Sequence, residues 1–127
     1  MRKYYKAIRK DLTSCFTEGK ANIQYKINEY VNAPDWLPKE NGFLFVFSDF
    51  HNAYVFASII TRVLYEKANI YECEVQGVSK KLPSFLNTNF LACGKVILCH
   101  FLNFPKGTVA VRKVKLIRKI WTNKRDS

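Results

Sequence analysis

The spacing of apolar and polar residues changes twice between Gly42 and Val75, and those changes outline a scaffold. Phe43, Leu44, Phe45, Val46 and Phe47 form an unbroken apolar run of strand length behind Gly42, the pattern of a strand covered on both faces. Ser48 or Asp49 then offers a side-chain oxygen for a helix N-cap. Phe50, Ala53, Ala57, Ile60 and Leu64 recur at helical spacing, widened by Tyr54, Phe56, Ile59 and Val63. No proline or glycine interrupts Asp49 to Ala68, so the pattern predicts one long helix over 49–68 with a face broad enough to cover a sheet. From Ile70 to Val75 the period drops to two. Tyr71, Cys73 and Val75 point one way, Glu72 and Glu74 the other.

Weaker patterns flank this strand, helix, strand unit. The aromatics of Tyr4 to Arg9 favour a strand, with Lys6 and Arg9 on opposite faces. Asp11 to Lys20 holds Thr13, Ser14 and Gly19 and reads as a loop or a single helical turn. Ile23, Tyr25 and Ile27 alternate with Gln24, Lys26 and Asn28, which predicts a half-buried strand ending or bulging at Glu29 to Val31. Asn32 to Asn41, with Pro34, Pro38 and Trp36, is a predicted loop whose tryptophan either staples it to the core or is offered to a partner. Gln76 to Asn89 is an irregular connection, Lys95 to Leu102 a buried strand, and Asn103 to Gly107 a turn. Thr108 to Trp121 is rich in β-branched residues and predicts a strand with one basic face, Lys113, Lys115 and Lys119 opposing Val114, Leu116 and Ile120. The expected fold is α+β: a mixed or mostly antiparallel sheet of about five strands packed against the long helix, in a single domain spanning 1–127 with a frayed tail from about residue 122.

Composition sharpens this picture at one point. The chain has 127 residues, 48% apolar and 15% aromatic, enough for a real core. Residues 1–74 carry ten Lys or Arg against nine Asp or Glu, whereas residues 75–127 carry eleven against Asp126 alone. Nearly all of the +11 net charge therefore lies in the last two fifths, which points to an acidic partner, nucleic acid first. No apolar run reaches membrane-span length and the basic start lacks the apolar core of a secretory signal, so a cytoplasmic protein is expected, with no membrane partner. Cys15, Cys73, Cys93 and Cys99 are irregularly spaced, which favours reduced, buried thiols.

Candidate chemistry is sparse. Cys99 and His100 are adjacent, but no paired ligand spacing accompanies them and no metal site is expected. His51 falls in the first turn of the helix, where a surface role is expected, and neither a nucleophile elbow nor a phosphate-cradling glycine loop is present. The basic residues give the stronger signal. Lys80, Lys81, Lys95, Lys106, Arg112, Lys113, Lys115, Arg118, Lys119, Lys124 and Arg125 could follow a phosphate backbone. Arg2, Lys3, Lys6 and Lys10 could join them if the N-terminal segment lies alongside. Phe85, Phe90, Phe104 and Trp121 are either core and loop staples or stacking partners for bases.

Glu72 and Glu74, two apart on one strand face, form a second candidate site. A first strand carrying Arg9, a strand ending at Ser48, a helix, and a strand carrying Glu-x-Glu together resemble the arginine, serine, glutamate layout of ADP-ribosyltransferases. That resemblance covers about residues 4–75. It implies NAD as cofactor, Arg9 contacting the dinucleotide, the strand ending at Ser48 shaping the nicotinamide pocket, and Glu74, the last glutamate of the motif that begins at Glu72, as the catalytic residue. The Tyr-Lys start and basic final strand also resemble small bacterial and phage domains. The leading reading is a non-enzymatic basic module, without a cofactor, that binds RNA, DNA or a ribonucleoprotein, as would a phage or mobile-element inhibitor of a host complex of the anti-CRISPR kind. The alternatives are the NAD-dependent transferase and a scaffold for an acidic protein surface.

Overall fold

The structure is a computed structural model, and the residues described are 3–13, 23–33, 43–64, 67–80, 82 and 106–122. They form six strands and one helix: β1 (Tyr4–Arg9), β2 (Tyr30–Asn32), β3 (Leu44–Phe47), α1 (Phe50–Leu64), β4 (Ala68–Gln76), β5 (Thr108–Val111) and β6 (Lys113–Trp121). Every strand pairing is antiparallel, in the order β2-β6-β4-β1-β3-β5. The architecture is α+β, with a sixth strand and a helix shorter than the spacing predicts. The helix stops at Leu64 because Ala68 already pairs with Arg9 at the start of β4.

The strand order forces the sheet to curl. β5 lies at one end of the sheet and β6 four steps away, a separation of roughly 19 Å in a flat sheet at ~4.8 Å per strand. Yet only Arg112 separates them, a reach of about 7 Å. β5 and β6 are therefore one strand bent at Arg112, and β1, β3, this bent strand and β4 close on one another as a small barrel. Its interior holds Tyr4, Ile8, Leu44, Val46, Tyr71, Cys73, Val111, Val114 and Leu116, with Tyr25 packed among them. The Arg112 amide donates to the carbonyls of Gln76 at 3.0 Å and Gly77 at 3.2 Å. Gly77 has φ +70°, and a Cβ there would sit 2.7 Å from the Arg112 Cβ, so the corner requires glycine.

Helix α1 packs on the outer face. Asp49 caps it, accepting from the Asn52 amide at 3.4 Å and from Asn52 Nδ2 at 2.7 Å. Ala53 and Ala57, both fully buried, meet Ala7, Phe47, Ala68 and Ile70, with Ile120 and Trp121 at the margin. Small residues at the centre of the contact let the helix lie close to the sheet, and this leaves Phe50 and Tyr54 exposed although their spacing places them on the core face.

Two further departures have local causes. Ile23 to Asn28 is not a strand: Gln24 and Ile27 make only isolated bridges, to Thr13 and Leu116. The Tyr25 amide donates to the Leu12 carbonyl and the Asn28 amide to the Leu116 carbonyl, Asn28 adopts φ +63°, and Tyr25 is buried while Ile27 stays 40% exposed. The strand begins only at Tyr30, within the stretch where an end or bulge is expected. Upstream, the turn after β1 is held by Asp11 Oδ1, which accepts from the Thr13 amide at 3.1 Å and its hydroxyl at 2.5 Å. That hydroxyl is the main reason the Asp11 carboxyl titrates below its ordinary value. The expected Lys95 to Leu102 strand, the Trp36 staple, Cys15, Cys93, Cys99 and the tail from 123 lie outside the described residues. No helix among the described residues is long and apolar enough to cross a membrane.

Candidate nucleic-acid interface

The bent strand does not present the basic face that simple alternation predicts. Val114 and Leu116 do point inward and are fully buried. In the pairing with β4, Cys73 faces Leu116 but Glu72 faces Arg118, which leaves Ile117 unpaired; Tyr71 faces Lys119 but Ile70 faces Trp121, which leaves Ile120 unpaired. These are β-bulges, and each shifts the side chains beyond it by one position. The outer face of β6 accordingly carries Lys113, Lys115 and Arg118. Lys119 stands opposite inward-facing Tyr71, and Ile120 packs with Trp121 against the helix-side cluster.

The two glutamates of β4 lie on this same outer face and are held by its cations. Glu72 accepts from Arg118 Nε at 3.2 Å and pairs with Lys3 Nζ at 3.6 Å. The Glu72 side chain is 13% exposed, whereas Arg118 and Lys3 remain 66% and 60% exposed. Glu74 pairs with Lys115 at 3.2 Å, and that lysine also lies 4.9 Å from the Tyr30 ring centre. The E-x-E motif is thus a pair of anchors for a basic strand.

Beside this ionic strip runs a row of rings. Tyr5 meets Phe50 edge-on at 6.1 Å, Phe50 stacks on Tyr54 at 6.2 Å, and Tyr54 meets Trp121 edge-on at 5.3 Å. Phe50 and Tyr54 occupy one helix face because they are four residues apart. Trp121 also lines an open cleft of about 510 Å³ with Lys119, Ile120 and Thr122. Sequence reasoning places Phe50 and Tyr54 in the core; Ala53 and Ala57 beside them are the signal that the helix axis sits closer to the sheet.

The remaining candidate residues divide by position. Lys80 and Lys106 are exposed, near the β5 side of the barrel and the turn before it. Arg112 lies over the Phe43 ring at 4.0 Å and belongs to the barrel corner. Lys6 is 8% exposed, so it does not join the surface cations. Its amine points inward, donates to the Phe45 carbonyl and lies 5.2 Å from the Tyr25 ring centre. β1 and β3 pair only at Tyr5 and Phe47, and where they part, Lys6 takes a carbonyl that a strand amide would otherwise take. Lys81, Lys95, Lys124 and Arg125 lie outside the described residues, as do Phe85, Phe90, Phe104, His100 and Arg2.

The transferase set is dispersed. Arg9 shares the outer face with Glu72 and Glu74 but pairs with Ala68, six residues from Glu74 and roughly 20 Å along the strand. Between them the helix packs on Ala7 and Ile70. Ser48 directly follows β3, where its amide donates to the Gly107 carbonyl at 3.0 Å. His51 is exposed in the first turn of α1. Burial pushes the Cys73 thiol up to about 12 and raises Tyr71 above its ordinary value, which keeps both protonated and poor nucleophiles at neutral pH. The chain matches no protein-family model, and neither curated proteins nor solved structures give a match.

Proposed function

We propose that this protein is a non-enzymatic basic module that binds nucleic acid, free or within a ribonucleoprotein, through the outer face of β6 and the cleft at its end. The observation that carries the reading is the incomplete neutralisation of that strand among the described residues. Lys113, Lys115, Arg118 and Lys119 fall within seven residues, opposed on β4 by Glu72 and Glu74 alone. Arg118 keeps 66% of its side chain exposed even while paired. Six residues of strand span roughly 20 Å, about six phosphates of one duplex strand at 3.4 Å spacing. A host complex as the target, and a phage or mobile-element origin, fit this chemistry as one setting among others.

The test is a fluorescence-anisotropy titration of labelled oligonucleotides at low salt. Lys113→Glu, Arg118→Glu and Lys119→Glu together should abolish binding without changing the circular dichroism spectrum. Wild-type protein that binds no oligonucleotide, or a triple variant that binds as well as wild type, contradicts the proposal. Capture of an acidic protein instead would favour the scaffold reading.

A further inference from the structure

We infer that the ligand of this surface is single-stranded nucleic acid, with unpaired bases held against Tyr54 and Trp121 and phosphates against Arg118 and Lys119; this rests on the nucleic-acid reading above. Charge alone does not separate a duplex from a single strand, because both present phosphates. The rings do. In a duplex the base faces are covered by their neighbours, so exposed aromatic faces find partners only on unstacked bases.

Three features favour the aromatic row as a stacking surface over a margin of the core. The helix already buries its contact through Ala53 and Ala57, both at 0% exposure, while Phe50 and Tyr54 stay 38% and 42% exposed. The rings touch one another in sequence from Tyr5 to Trp121, so the two exposed rings continue into half-buried ones at either end. And Trp121 lines a cleft of about 510 Å³ whose described walls include the cation Lys119, within the ~300 to 1,000 Å³ range typical of sites for small organic groups. A ring for the base and a cation for the phosphate at one strand end are the two elements single-strand binders combine. The bulge that leaves Ile120 unpaired turns Trp121 to the helix side, opposite Ile70, two residues past Lys119, and at this strand end both residues line the cleft.

The experiment compares oligo-dT, oligo-rU and a hybridised duplex of equal length, with wild type, Tyr54→Ala and Tyr54→Phe. Either single strand should bind at least roughly tenfold more tightly than the duplex. The Ala variant should weaken single-strand binding by roughly 10- to 100-fold, while the Phe variant retains it and duplex binding changes little. The dT and rU arms identify which sugar backbone is held, and either one bound above duplex supports the inference. Equal binding of duplex and single strand, or an Ala variant that binds single strands like wild type, overturns it and leaves the basic-strand proposal standing. Absence of binding to all three overturns both.

Discussion

The two faces of β4 are built on opposite principles. Inward, Tyr71 and Cys73 are covered to 9% and 1% exposure, and their acid groups are held protonated by burial. Outward, Glu72 and Glu74 form ion pairs with Lys3, Arg118 and Lys115. The inward face sets stability through volume and desolvation, and the outward face sets charge with little influence on stability. The comparison teaches where to look for function in this barrel: on the face that can change without unfolding the protein.

Truncation of the inward face should have the largest effect. Leu116 is fully buried opposite Cys73, and Leu116→Ala should reduce unfolding free energy by about 2 to 5 kcal/mol in urea denaturation. A loss below about 1 kcal/mol would mean the barrel interior is not packed as described.

An intermediate effect is expected from alkaline pH. Cys73 holds its proton in the folded state to about 12 against an ordinary value of 9.0. The unfolded chain therefore releases this proton first, so the stabilisation is complete below about pH 9 and is lost as pH rises from there toward 12. Urea midpoints at pH 7 and pH 10.5 should fall more for wild type than for Cys73→Ala. Equal losses in the two proteins would show that the thiol is not buried.

The smallest stability change belongs to the outward face. Glu72→Gln should alter unfolding free energy by less than about 1 kcal/mol, because both of its cationic partners are exposed. Freed of the carboxylate, Arg118 and Lys3 should raise oligonucleotide affinity by roughly twofold to fivefold. A decrease would mean that Glu72 organises the cations in place of competing for them.

Much of the scaffold is legible in the sequence because it rests on local period. The alternation of Ile70 to Val75 places every residue of that stretch on its observed face, and Asp49 is the N-cap the helix uses. The separation of Lys6 from Arg9 is likewise present in the alternation of β1. The illegible parts are set by distant partners. Nothing at Arg112 breaks the β-branched run from Thr108 to Trp121; the glycine that admits the corner is Gly77, just beyond the end of β4. The β6 bulges fall on Ile117 and Ile120, residues whose intrinsic preference is for regular strand, so the shift that separates Lys119 from Lys113 and Lys115 leaves no local trace. Lys6 reads as one more surface cation, and only the parting of β1 and β3 gives its amine an inward partner.

The most direct test of the central claim is the salt dependence of single-strand binding. With three to four cations of β6 displacing counterions, a plot of log affinity against log salt should fall with a slope of about −2 to −3, and the Lys113, Arg118 and Lys119 reversal should bring any residual slope close to zero. A wild-type slope near zero, or a steep slope that survives the reversal, would place the binding surface elsewhere on the molecule.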